Sequence, residues 1–177
     1  MLESLITSKT RIRILVKFFI NAANDGYLRG LADEMNESTN SIRKELNNLE
    51  EAGYLKKEAI QNKVSYKANT KHPLFTVLQK IIFQHIGLDS VVEMVIERMG
   101  DVRKIIVIGD YANGTDSGLI EVIVLGNNLN IEYIDKLADK IESQIKRKVQ
   151  FYFKDKKFSK GLVIFDDDTI KEEELSN

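Results

Sequence analysis

Cysteine is absent from this 177-residue chain, which removes disulfides, thiolate nucleophiles and cysteine-bound zinc together. Only two histidines are present, so a histidine-rich metal site is not expected either. No apolar run approaches the ~20 residues that span a bilayer, and no membrane partner is expected. The opening stretch, MLESLITSKTRIRILVKFF, interrupts its apolar positions with charge and lacks a small-residue cleavage end. It reads as a helix rather than a signal peptide. These absences fit a reducing, cytoplasmic setting. Proline occurs once, at Pro73, where it biases His72 to extended geometry and closes the first structural unit.

Charge of one sign is scarce overall but unevenly spread. The net charge is -1, yet the stretch from Asp166 to Asn177 holds six acids against Lys171, a net of -5. The body before it therefore carries +4, a mild excess that suits nucleic acid without requiring it. The acidic end reads as a solvated tail, the usual fate of a like-charge run. What is plentiful is ordinary: 43% apolar and 30% charged residues belong to a folded domain rather than a disordered one.

Periodicity places a helix over residues 4–21, with Leu5, Ile12, Leu15 and Phe19 on one side. NDGY (Asn24 to Tyr27) reads as a turn and LRGLADEM as a short helix. Thr39 is the expected N-cap of the next helix, NSIRKELNNLEEAG, whose apolar stripe is Ile42, Leu46 and Leu49 and whose end is Gly53. YLKKEAIQNKVSYKAN alternates about a polar centre, as a β-hairpin does. Helix, short helix, tight turn, helix, hairpin is the order of a winged helix-turn-helix. The face opposite the apolar stripe carries Asn40, Ser41, Arg43, Lys44 and Asn47, and the hairpin adds Lys56, Lys57, Gln61, Asn62 and Lys63. Arginine and asparagine offer paired hydrogen bonds to base edges, while lysine and serine reach phosphates, so double-stranded DNA is the expected partner.

From Leu74 a broad apolar helix runs to about Ile86, with His85 as a buried or interfacial histidine. A second helix runs through about Met99 on Val91, Val92, Val95, Ile96 and Met99. Stripes this wide exceed what one core requires and are read as a bridge between domains or a homodimer seam. Beyond Asp101, RKIIVIG, LIEVIVLG, KVQFYF and GLVIFD are expected strands around a helix over residues 131–146. The fold class is thus α+β. A winged helix-turn-helix (1–72) precedes a helical linker (73–100), a small α/β domain (101–165) and an acidic tail (166–177).

Two sets of residues carry a family resemblance. They are LRGLADEMNESTNSIRKELNNLEEAGYLKK with YKANTKHPLF, and GDYANG followed by a strand ending in VIVLG. Across most of residues 5–153 the chain resembles prokaryotic proteins that fuse an ArsR-like winged helix to a small nucleotidyltransferase-like domain of the DNA polymerase β superfamily. Active relatives carry G-S-x-x-x-G and then S-D-x-D at the start of the next strand. A helix N-terminus there offers amides to phosphate, and two aspartates on one strand face hold the magnesium ions.

The resemblance implies a degenerate site at Gly109, Asp110, Gly114, Leu119 and Glu121. Leu119 takes the place of the first aspartate and Glu121 the second, and leucine offers magnesium no oxygen. Asp110 replaces the phosphate-binding serine, where its charge would repel an anion by an order of several kcal/mol at close range. The loop after Gly114 is also short for the family. The expectation is a DNA-binding transcriptional regulator, a homodimer, whose second domain is a pseudoenzyme for dimerisation, sensing or docking of a protein or small-molecule effector. No catalytic residue, cofactor or metal is assigned. Two alternatives stand beside it. One is an active nucleotidyltransferase with a rearranged metal site at Glu121, Asp116 and Asp110. The other is a winged helix that binds protein rather than DNA.

Overall fold

The computed structural model describes residues 2–153 and 160–167. The architecture is mixed α+β, and packing divides the chain into two units. Unit 1 comprises Met1–His85 together with Asn113–Asp116; unit 2 comprises Ile86–Ala112 together with Ser117–Asn177. The expected linker over 73–100 is therefore shared, its first helix packing in unit 1 and its second in unit 2.

Unit 1 opens with a single 3-10 turn at Leu2–Ser4, and α1 begins only at Lys9, running to Phe19. The expected helix start at Ser4 is thus corrected. Ser8 Oγ accepts the Arg11 N–H and nucleates the helix there, because a hydroxyl next to the backbone competes with helix continuation. Leu5 lies before it, 80% exposed, and takes no part in the apolar stripe.

NDGY is corrected as well: β1 (Asp25–Tyr27) is a short strand that pairs antiparallel with β3 (Lys63–Ala68). Helices α2 (Leu28–Met35) and α3 (Thr39–Glu51) follow, then β2 (Leu55–Ile60), completing a sheet of order β1-β3-β2. Ser38, not Thr39, caps α3, since its oxygen reaches the Ser41 N–H at 3.1 Å. At the other end Tyr54 N–H donates to Leu49 O and Gly53 N–H to Glu50 O, the paired closure of a Schellman motif. The β2–β3 hairpin turns on Gln61 and Asn62, both at positive φ, as a two-residue type I′ loop requires. Ile12, Leu15, Phe18, Leu31, Ile42, Leu46 and Leu49 form the unit's core. Helix α4 (Phe75–Ile86) stacks Phe75 on Phe19 with centroids 5.6 Å apart.

Unit 2 starts with α5 (Leu88–Arg98) and is built on a four-stranded sheet of order β6-β5-β4-β7. Strands β4 (Asp101–Ile108) and β5 (Leu119–Asn127) are antiparallel, β6 (Lys148–Tyr152) runs parallel to β5, and β7 (Leu162–Asp166) pairs antiparallel with β4. The four-residue α6 (Gly109–Ala112) leaves β4, and α7 (Ile134–Ile145) joins β5 to β6 after a 3-10 turn at Ile131–Tyr133. Leu137 and Ile141 on α7, with Val91 and Val95 on α5, are buried along with Ile105 and Val107 of β4 and Ile120, Val122 and Val124 of β5.

Strand β7 reaches Asp166, which pairs with Lys104 at 2.7 Å, and Asp167 N–H donates to Arg103 O. The first two acids of the expected tail therefore belong to the sheet edge. The remainder, Asp168 to Asn177, lies outside the described residues.

Candidate nucleic-acid interface and the strand-end site

Helix α3 is anchored through its inner face. Ile42 and Leu46 are fully buried, and Glu45 sits between them at 7% exposure. Its carboxylate accepts from Ser8 Oγ at 2.8 Å and from Arg11 Nε at 2.7 Å, which ties α3 to the start of α1. Sequence reading passed over Glu45. Its signal was the position itself, three residues after Ile42, inside the apolar stripe. Removing one partner of so buried a charge would leave the other uncompensated.

The outer face of α3 is solvent-exposed at Asn40, Arg43, Lys44 and Asn47, with Ser41 half-buried. Lys44 and Asn47 engage no other group among the described residues. Arg43 Nη1 makes only a 3.3 Å bond to Asn40 Oδ1, and Ser41 Oγ accepts from Ser38 Oγ. On the hairpin Lys56, Gln61 and Asn62 are exposed and likewise unengaged. Lys57 pairs with Glu50 at 3.1 Å, and the Lys63 ammonium lies 5.8 Å from the centre of the Tyr27 ring. So α3 and the hairpin, both of unit 1, display the ten residues singled out from sequence. Lys57 and Lys63 are the two that an internal acid or ring already occupies.

The strand-end residues are arranged differently. Glu121 lies opposite Ile108 on β4 and beside Gln150 on β6. It is half-buried, and Tyr152 Oη donates to its Oε1 at 3.0 Å. Gly109 holds φ +67°, and a Cβ there would collide with Glu121 Oε2. The Glu121 carboxylate thus lies against the backbone that opens α6, and the positive φ at that position favours glycine. Leu119, two residues back on the same side of β5, is 41% exposed. Asp110 is exposed in the first turn of α6. Tyr111, which sequence reading did not single out, is fully buried and its Oη accepts the Gly118 N–H at 3.1 Å.

Gly114, by contrast, packs in unit 1 with Asp116, so the two motif glycines fall in different units. Among the described residues, no group of three or more His, Cys, Asp or Glu is placed to hold a metal ion.

His85 has a side chain only 8% exposed, with Nε2 3.8 Å from Glu3 Oε1. Both line a cleft of about 420 Å³ in unit 1, together with Lys9, Arg13, Glu34 and Met35. Its charges are largely engaged: Glu34 binds Lys17 at 2.7 Å and Arg13 binds Glu37 at 3.0 Å. No described helix is long and apolar enough to cross a membrane.

No protein-family model matches the chain, and neither the curated proteins nor the solved structures include a match.

Proposed function

We propose that the protein is a DNA-binding transcriptional regulator. In this reading unit 1 is a winged helix-turn-helix and α3 is its recognition helix. The observation that carries it is the two-sidedness of α3. Its inner face is locked by Ile42, Glu45 and Leu46, while Arg43, Lys44 and Asn47 stand exposed beside a lysine-bearing hairpin. A rigid helix with uncommitted donors suits the major groove, where arginine and asparagine distinguish base edges. The exposed cations supply the phosphate contacts that make such binding salt-dependent.

Unit 2 serves, in the same proposal, as a non-catalytic nucleotidyltransferase-like domain. Leu119 supplies no ligand for magnesium, and the Glu121 carboxylate is already engaged by Tyr152. A homodimer is proposed too, supported by Leu74, just before α4, and Val77 on it, which are 46% and 51% exposed. Two recognition helices would then meet half-sites about one helical turn apart.

Selection of bound fragments from random duplex DNA by the purified full chain tests the reading, with a mass measurement in solution run alongside. Enrichment of a two-fold symmetric sequence is expected. Absence of any salt-sensitive DNA affinity would transfer unit 1 to protein binding. Pyrophosphate release from magnesium-ATP that depends on Glu121 would overturn the non-catalytic role of unit 2.

A further inference from the structure

We infer that residues Asn113–Asp116 are a strap that holds α2 against α1, with Gly114 and Thr115 as its positioning residues. These residues pack as part of unit 1 although the rest of that unit ends at His85. Gly114 is buried and holds φ +82°. A Cβ on it would stand 2.5 Å from Lys17 O, 2.6 Å from Lys17 Cα and 2.9 Å from Asn24 Nδ2. Lys17 belongs to α1, whose backbone is fixed by its own hydrogen-bond ladder and cannot retreat. Asn24, 2% exposed, donates its Nδ2 to the same Lys17 carbonyl at 2.9 Å, so both sides of the contact are set.

The next residue reaches α2. Thr115 Oγ1 donates to Glu34 Oε1 at 3.1 Å, and Glu34 also accepts from Lys17 Nζ at 2.7 and 2.9 Å. Lys17 is therefore gripped at its backbone by the strap and at its side chain by α2. A half-exposed ion pair alone is a weak tether. The glycine contact, buried and sterically exact in the sense that no side chain fits, is what gives the tether a fixed geometry. The consequence falls on α3, since α2 leads into it through Asn36 to Ser38, and Arg13 Nη1 holds the last turn of α2 at Met35 O.

Hydrogen exchange on the full chain tests the strap. In Gly114→Val the amides of Leu28–Met35 should exchange about tenfold faster or more, while those of Ile134–Ile145 in unit 2 stay at the wild-type rate. Thr115→Val, which adds no backbone strain, should give the same pattern at about two- to fivefold. Gly30→Ala serves as the control, because a Cβ at that position of α2 meets nothing within 4 Å. Unchanged α2 exchange in both strap variants would overturn the inference, as would equal acceleration in unit 2. The inference rests on the DNA-reading proposal only for its last arm, a loss of duplex affinity in Gly114→Val with Arg43 and Lys44 intact. A wild-type protein without DNA affinity would sink that proposal and leave the exchange result to judge the strap.

Discussion

The outer face of α3 and the start of β5 both display polar residues at positions where chemistry is expected, and they treat them in opposite ways. On α3, Lys44 and Asn47 have no internal partner among the described residues, and the one buried acid, Glu45, is turned inward to hold the helix. On β5 the acid Glu121 is bound by Tyr152 and seated against Gly109, while Leu119 faces solvent. A surface that binds a charged partner keeps donors uncommitted, because each internal bond must be broken or shared before an external one forms. In the proposed function, an acid already bonded within its own fold serves the start of β5 as scaffold. In the proposed reading, this difference is what separates a DNA-contacting surface from a structural strand end.

The largest expected effect breaks the first half of this comparison at its foundation. Leu46 is fully buried, so Leu46→Ala should destabilise unit 1 by about 2–5 kcal/mol, lost burial and cavity together. A thermal or urea titration reads it, and DNA binding should fail with the fold. Next come Arg43→Ala and Lys44→Ala, each expected to weaken duplex binding by about 1–3 kcal/mol without moving the melting temperature. For a phosphate-contacting lysine the slope of log affinity against log salt should also fall by about one. Anisotropy titrations at several salt concentrations separate the two roles. Unchanged affinity in both variants would remove α3 as the recognition element.

Much of this was legible before any coordinates. The Ile42, Leu46 and Leu49 stripe located α3 and its exposed face, and the alternation about Gln61-Asn62 located the hairpin. Strand β4 was readable from its β-branched run, and β5, β6 and β7 from the apolar stretches LIEVIVLG, KVQFYF and GLVIFD. What escaped was non-local. Asp25-Gly26 has turn chemistry, and only pairing with Tyr66 and Lys67, some forty residues away, makes it a strand. The roles of Glu45 and Tyr111 depend on which partner the fold brings to them. Packing of Gly114 on Lys17 leaves no trace in local periodicity, since a glycine in GDYANG reads equally well as a loop residue. Caps erred by a single residue because Ser38 and Thr39 carry the same chemistry and only geometry selects between them.

Tyr152→Phe sharpens the second half of the comparison. It deletes the donor to Glu121 and should cost about 0.5–1.5 kcal/mol, the usual net value of such a bond, with DNA affinity unchanged. A loss of DNA affinity equal to that of Arg43→Ala would show that the two regions are not independent.

The smallest effect concerns an ion pair at the edge of the same sheet, where Glu142 accepts from Lys148 Nζ at 2.8 Å and from the Val149 N–H at 3.0 Å. The Lys148 hydrogen bond, then the backbone one, hold the Glu142 carboxyl below its ordinary value of 4.5, and Glu142 in turn raises Lys148 above 10.5. A carboxyl depressed in the folded state stabilises above its unfolded value and loses that contribution as pH falls through its folded value. The lysine, raised in the folded state, contributes below its unfolded value and loses it as pH rises through the folded one. Glu142→Gln keeps an acceptor for Val149 but removes the charge. The variant should therefore melt slightly below wild type at neutral pH, and the gap should close as the solution is acidified below pH 4.5. Because Lys148 is largely exposed, salt should shrink the gap as well, and a difference that persists unaltered in both acid and high salt would mean that packing, not charge, holds this edge.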